Sequence, residues 1–233
     1  MKINNSPAHI LDSPVWNSLA GPHAELSESH GLARKYPSDI SPFYGVSNTS
    51  SPQAWADLAE LSGPTGISVL LEKTVDVPAR WEKVGIFVGI QLTGQNVKVA
   101  PDKELIPLGV SDVPEMLNLI SRTEPGPFKR RTIELGGYLG LRINGELVAM
   151  AGRRLNPPGW VEISAVCTAP EHRGKGYADR LVRAVAAGIR EDNQLPFLHV
   201  SADNTNAIRL YERMGFELRI RPTFAILRPE PQT

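Results

Sequence analysis

The feature that most constrains this chain is a glycine-bearing turn, Arg173-Gly174-Lys175-Gly176, set between a strand-patterned run and a helix-patterned one. Residues 160–168 are rich in apolar and β-branched residues and follow a Pro157-Pro158-Gly159 break, which predicts a strand. Strict alternation sets Val161, Ile163, Ala165 and Cys167 on one face, and Glu162, Ser164, Val166 and Thr168 on the other. From residue 174 to residue 191, Ala178, Leu181, Val182, Val185, Ala186 and Ile189 recur at helical spacing, so an amphipathic helix packs on a sheet. A strand that turns straight into a helix commits the chain to layers of helix and sheet. The turn also carries chemistry. Gly174 and Gly176 permit a tight backbone path, and the first N–H groups of a helix lack partners at the positive end of its dipole. That is a site for a pyrophosphate, with Arg173 and Lys175 adding charge. The spacing is not that of a Walker loop, and the third glycine of a dinucleotide fingerprint is missing.

The surrounding pattern extends this reading. Residues 105–110 predict a short strand, and Ser111-Asp112 starts a helix through Met116, Leu117 and Ile120. Residues 138–143 and 146–154 flank Asn144-Gly145, a hairpin signature because this dipeptide accepts positive φ angles. Further on, a strand at 197–201 precedes a helix at 205–214 that Gly215 stops. Strands at 216–220 and 223–227 are expected to close the chain as a hairpin. The order from residue 103 is β-α-β-β-β-α-β-α-β-β. Upstream, the first 65 residues are rich in Pro, Ser, Gly and Asn, with short capped helices at Ser13-Pro14 and Ser51-Pro52. Strands are expected at 66–73 and 84–92, and 93–102 is the best candidate boundary.

Two segments, PEHRGKGYADRLV and SADNTNAIRLYERMGFEL, together resemble the signature motifs of the GNAT superfamily of acyl-CoA-dependent N-acyltransferases. Arg173, Gly176 and Ala178 match that family's Arg-x-x-Gly-x-Gly/Ala loop. Asn204, Ala207, Tyr211, Gly215 and Phe216 match its second motif. The resemblance covers residues 103–233. It implies an α+β fold, a central mixed sheet flanked by helices; ahead of it, the strand and helix signals of residues 1–100 are expected to form a smaller α/β domain, on which the resemblance says little. It further implies that Arg173, Gly174, Lys175, Gly176, Tyr177 and Ala178 hold the pyrophosphate of acetyl-CoA. The strand edge at Val166, Cys167 and Thr168 would pair with the pantetheine arm as an added strand does, with Asn204 near the thiol. Tyr211 would protonate the departing thiolate, and Glu162 would be the general base. The activity implied is acetyl transfer to a primary amine of a small molecule or amino acid. A non-catalytic acyl-CoA-binding module and an enzyme using the turn for ATP or NAD are the alternatives.

Bulk composition narrows partners. Formal net charge is zero, with 25 basic and 25 acidic residues, which argues against nucleic-acid or membrane-surface binding. No apolar run has spanning length, no signal-peptide core opens the chain, and Cys167 is the single cysteine, so a cytoplasmic protein without disulfide or metal is expected. Cys167 reads as a small core residue and His199 as a structural strand histidine, with His199 an alternative base. Arg130, Arg131, Arg153 and Arg154 are read as solvated, or as lining a substrate or phosphate entrance. For residues 1–100 three roles stay open: a cap over the acceptor site, a degenerate half of a tandem arrangement like that of glycine N-acyltransferases, or a homodimer interface.

Overall fold

In the computed structural model, which describes residues 9–230, the regular elements from α2 onward follow the order of their sequence signals. They run α1 (Pro14–Leu19), β1 (Glu28–His30), β2 (Ala33–Lys35), β3 (Phe43–Val46), α2 (Pro52–Ser62), β4 (Ser68–Glu72) and β5 (Trp81–Thr93). Then come β6 (Ile106–Pro107), α3 (Val113–Thr123), β7 (Leu139–Ile143), β8 (Glu146–Arg153) and β9 (Trp160–Thr168). The chain finishes with α4 (Tyr177–Glu191), β10 (Leu195–Ser201), α5 (Thr205–Met214), β11 (Glu217–Ile220) and β12 (Thr223–Pro229). Local chemistry explains the ends. Ser51 Oγ accepts from Ala54 N–H ahead of α2, and Asn204 Oδ1 accepts from Ala207 N–H ahead of α5. Asn144 and Gly145 both have positive φ between β7 and β8.

All twelve strands among the described residues join one mixed sheet, in the order β1-β2-β3-β4-β12-β5-β10-β9-β8-β7-β6, with β11 also on β5. This path has a near-repeat. An antiparallel meander β1-β2-β3 is followed by β4 parallel to β3, with α2 crossing between them. The meander β7-β8-β9 is followed by β10 parallel to β9, with α4 crossing between them. The next neighbour is exchanged in each case. β4 pairs with β12 from the end of the chain, and β10 pairs with β5 from its first half. β5 and β12 pair antiparallel at the centre.

Two expectations change here. The stretch near residue 100 is a loop but not a break between sheets, because β5, upstream of it, is built into the middle of the sheet. Nor is that loop loosely held. Arg183 donates to Lys98 O at 2.6 Å, Arg190 to Gly94 O at 3.0 Å, and Arg180 pairs with Asp102 at 2.6 Å, all from α4. The last two strands do not form a hairpin. β11 lies beside residues 91–93 of β5 and β12 beside residues 81–88, so both use the same long strand as partner. The three short strands β1–β3 carry little apolar alternation and were not foreseen.

Side chains of the two sheet faces feed separate cores. Helix α4 covers Ile90, Leu92, Val161, Ile163 and Leu198 with Leu181, Val185 and Ile189. The other face receives α3, against Tyr138, Met150, Ala165 and Cys167, and α1, against Phe43, Leu71 and Phe197. Burial of these apolar faces, at roughly 25 cal/mol per Å², is what fixes the strand register.

Candidate active site

β9 and β10 are parallel but hydrogen-bonded only where Trp160, Val161 and Glu162 face Leu195, Pro196 and Phe197. Beyond that point the strands diverge, and no described strand occupies the β10-side edge of β9 from residue 163 onward. The register of β9 against β8 also slips there, with Gly152 opposite Ser164 but Met150 opposite Cys167. One extra residue is therefore held in β9, and Ala165 takes a φ of +53°. The bulge reverses the alternation expected from sequence. Val161 and Ile163 pack under α4 together with Val166, whereas Ala165 and Cys167 pack under α3. Glu162 thus does not share a face with Val166 and Thr168, as strict alternation had set it.

A cleft of about 1050 Å³ passes through the opening between β9 and β10. On the α4 and α5 side it is lined by Val166 and Thr168, by 172–179, and by Asn204 and Tyr211, and Cys167 lines it from the other face of β9. The predicted loop and strand-edge residues therefore come together in one place. Gly174 and Gly176 have φ of +77° and +78°, and a Cβ at either would meet no atom within 4 Å. Their requirement is conformational, and the space beside them is open. Gly176 caps α4 in the left-handed region without a side-chain cap, so the first N–H groups of the helix stay available. Asn204 spends its Oδ1 on the α5 cap, leaving its amide nitrogen beside the cleft. Tyr211 is 7% exposed, and burial raises its pKa to about 12. Its hydroxyl has no hydrogen-bond partner among the described residues.

Glu162 is the main correction. Its side chain is fully buried, and both oxygens are taken: Arg154 Nε and Nη2 donate at 2.7 and 2.6 Å, and His199 Nδ1 lies 2.6 Å from Oε1. Burial alone would raise its pKa, but the Arg154 charge and hydrogen bonds, then those of His199, outweigh it and hold it down to about 2. A carboxylate with both oxygens engaged and its pKa held so low is too weak a base to take a proton from an amine efficiently. His199 is fixed in turn. Gln91 Nε2 donates to Leu11 O at 2.9 Å and lies 3.0 Å from His199 Nε2, while Gln91 Oε1 accepts from Arg219 at 2.7 Å. The Gln91 amide beside Nε2 and the Glu162 carboxylate beside Nδ1 together hold the His199 ring in place. Cys167 is buried, and burial pushes its thiol up to about 11, so it is no nucleophile.

Sequence reasoning treated Arg154 as one of several loop cations, yet it lines the cleft and is the partner of Glu162. A signal was available. Arg153 faces Ile163 across the turn at Pro157-Pro158-Gly159, so the next residues inward, Arg154 and Glu162, face each other too. The aromatic residues Phe43, Phe87 and Phe224, from β3, β5 and β12, also line the cleft, and only tertiary pairing could reveal them. Among the described residues no group of three His, Cys, Asp or Glu side chains is arranged to hold a metal, and no helix is long and apolar enough to cross a membrane.

Comparison with known proteins bears on this site. The family model for FR47-like protein matches residues 138–225, which span β7 to β12. A solved acetyltransferase of the GNAT family from Novosphingobium aromaticivorans is 40% identical, with a TM-score of 0.88 over 96% of this chain and 100% of that one. A GCN5-related N-acetyltransferase from Kribbella flavida has the same fold at 13% identity, with a TM-score of 0.67 over 96% of this chain and 98% of that one. No curated protein matched the sequence.

Proposed function

The chain belongs to the GNAT family of acetyltransferases, and from that premise we propose that it moves an acetyl group from acetyl-CoA to the primary amine of a small molecule or amino acid. The observation that carries this reading is the unpaired β9 edge opposite β10, ending at the glycine turn of α4. An acyl-pantetheine carries amides of its own and fits such an edge as an added strand. The Arg173–Ala178 turn fits the pyrophosphate, with open space beside both glycines. Asn204 and Tyr211 line the same cleft, which supports a role for Asn204 in meeting the pantetheine.

In this reading the amine attacks the thioester carbonyl, a C–N bond forms, and the C–S bond breaks as the tetrahedral intermediate collapses. Backbone N–H groups on the β9 edge polarise the carbonyl oxygen. The Tyr211 hydroxyl, kept protonated by burial, donates its proton to the departing thiolate. The amine enters neutral and releases its proton to water, because Glu162 is committed to Arg154 and His199. The near-repeat of the sheet supports residues 1–100 being a degenerate half of the same kind. After β3 it has Ser47-Asn48-Thr49-Ser50-Ser51-Pro52, with no glycine and no cation, so a single acyl-CoA site is expected.

The test is two measurements on the full chain. Saturating acetyl-CoA should stabilise the protein, by about 2.7 kcal/mol at 100 times Kd, where ATP and NAD should not. Release of CoA thiol should then depend on an added amine. Binding of acetyl-CoA with no thiol release over a broad amine panel would sink the catalytic reading.

A further inference from the structure

The half of the cleft that lies beyond the sheet opening has a chemical character of its own. Strand register sets its floor. Phe43 faces Val69 across β3 and β4, Val69 faces Ile226 across β4 and β12, and Ile226 faces Gly85 of β5. In the next row Leu71 faces Phe224, which faces Phe87. The Phe224 and Phe87 rings stack at 4.8 Å with 6° between their planes. Gly89 lies beside this pair, and a Cβ there would come within 2.5 Å of the Phe224 ring, so the glycine makes the ring's position possible. Phe87 is nonetheless 47% exposed, and with the stacked Phe224 ring it presents an apolar face to the cleft.

One charged group faces this apolar floor. The Arg154 guanidinium sits 5.0 Å from the centre of the Phe43 ring and lines the cleft. Its Nε and Nη2 are held by Glu162, but Nη1 donates to no described residue. Glu162 and His199 lock the plane of the guanidinium, so the two N–H bonds of Nη1 are aimed rather than mobile. An aimed donor beside stacked aromatic rings asks for an oxygen acceptor next to an apolar body. The acyl-CoA half of the cleft is on the other side of the sheet opening, so these residues are left for the acceptor.

We propose that this end of the cleft is the acceptor pocket, and that it selects an amine carried by a ring-sized apolar group with a carbonyl or carboxylate oxygen beside the nitrogen. The apolar group lies on Phe87 and Phe224, with Phe43 buried beneath Arg154, and the oxygen takes the Arg154 Nη1 hydrogen bond. An apolar α-amino acid and the amino end of a peptide beginning with one both present this chemistry. The inference rests on the acetyltransferase reading above.

The test measures kcat/KM for CoA release with L-phenylalanine, L-phenylalaninamide, phenethylamine, L-lysine and spermidine. The two oxygen-bearing aromatic amines should exceed phenethylamine, which lacks the oxygen, by tenfold or more, and should exceed lysine and spermidine by at least as much. Preference for the acid over the amide assigns a free amino acid, and the reverse assigns a peptide terminus. Phe87→Ala, at a half-exposed position that should fold, should raise KM for the aromatic acceptors about tenfold and leave KM for acetyl-CoA unchanged. Phenethylamine matching phenylalanine, polar amines prevailing, an unmoved KM in Phe87→Ala, or no turnover with any aromatic amine would each overturn the pocket assignment. Failure of acetyl-CoA to bind at all would instead overturn the acetyltransferase reading beneath it.

Discussion

Replacing Glu162 by glutamine separates two roles that a carboxylate on this strand can play. As a general base its loss would slow chemistry by roughly 10²–10⁴-fold with the fold intact. The structure gives it the other role. Its side chain is fully buried, and Arg154 beside it has a side chain only 10% exposed, so glutamine leaves a guanidinium in the interior with no counter-charge. Breaking one side of a buried pair costs about 3–5 kcal/mol. For a chain of this size each kcal/mol moves Tm by roughly 2–4 °C, so the melting temperature should fall by roughly 6–20 °C. Arg154→Met combined with Glu162→Leu removes both charges and should recover part of that loss. The pH dependence has a definite sign. Because the folded Glu162 is held near 2, its contribution is present above the ordinary carboxylate range and fades as pH falls from about 4.5 toward 2. Calorimetric melts at pH 7 and pH 4 for wild type and Glu162→Gln measure this, and the gap between them should narrow at acid pH. An unchanged Tm with a hundredfold loss of kcat would refute the reasoning and restore Glu162 as the base.

Three further outcomes are expected. Tyr211→Phe should lower kcat by about 10²-fold or more with little change in acetyl-CoA binding, and with its pKa near 12 the wild-type rate should show no loss from tyrosine ionisation below pH 10; stopped thiol assays across pH check both. Gly176→Ala places a Cβ at φ +78°, costing about 1–2 kcal/mol, and should weaken acetyl-CoA binding in calorimetric titration because the turn must shift to relieve it. Glu72, 3% exposed with one oxygen unpartnered and the other bonded to Ser13, has its pKa pushed up to about 8, first by burial and then by Asp12. The folded state keeps this proton where the unfolded chain loses it, so stability should fall as pH rises from about 4.5 to 8, and Glu72→Gln should flatten that slope in melts at pH 5.5 and 8.

What the sequence revealed is what local rules govern. The glycine turn, the amphipathic α4, the Asn-Gly hairpin and the second motif are each written within a few residues, and the structure brings Arg173–Ala178, Val166–Thr168, Asn204 and Tyr211 to one cleft. The misplacement of Glu162 came from alternation counted straight through Ala165, an alanine that carries no mark of the positive φ it adopts. A bulge is a property of two strands together, set by how β9 meets β8, and one strand read alone cannot show it. The aromatic floor was hidden for the same reason on a larger scale. Phe43, Phe87 and Phe224 are far apart in the chain and meet only because β3, β4, β12 and β5 lie in that order.

The exchange of β5 and β12 also governs how the molecule can fold. The strand that completes the first half of the sheet is the last of the described strands, and its partners on β4 and β5 lie some 130 or more residues earlier. Closing so long a loop must precede the contacts that reward it, which slows folding and raises the fraction of non-local pairings in the transition state. Until Thr223–Pro229 docks, β4 and β5 both present unpaired edges, and Val84, Ile86, Phe87 and Val88 stand in an open ribbon. Docking of Thr223–Pro229 is therefore the step that removes both unpaired edges at once.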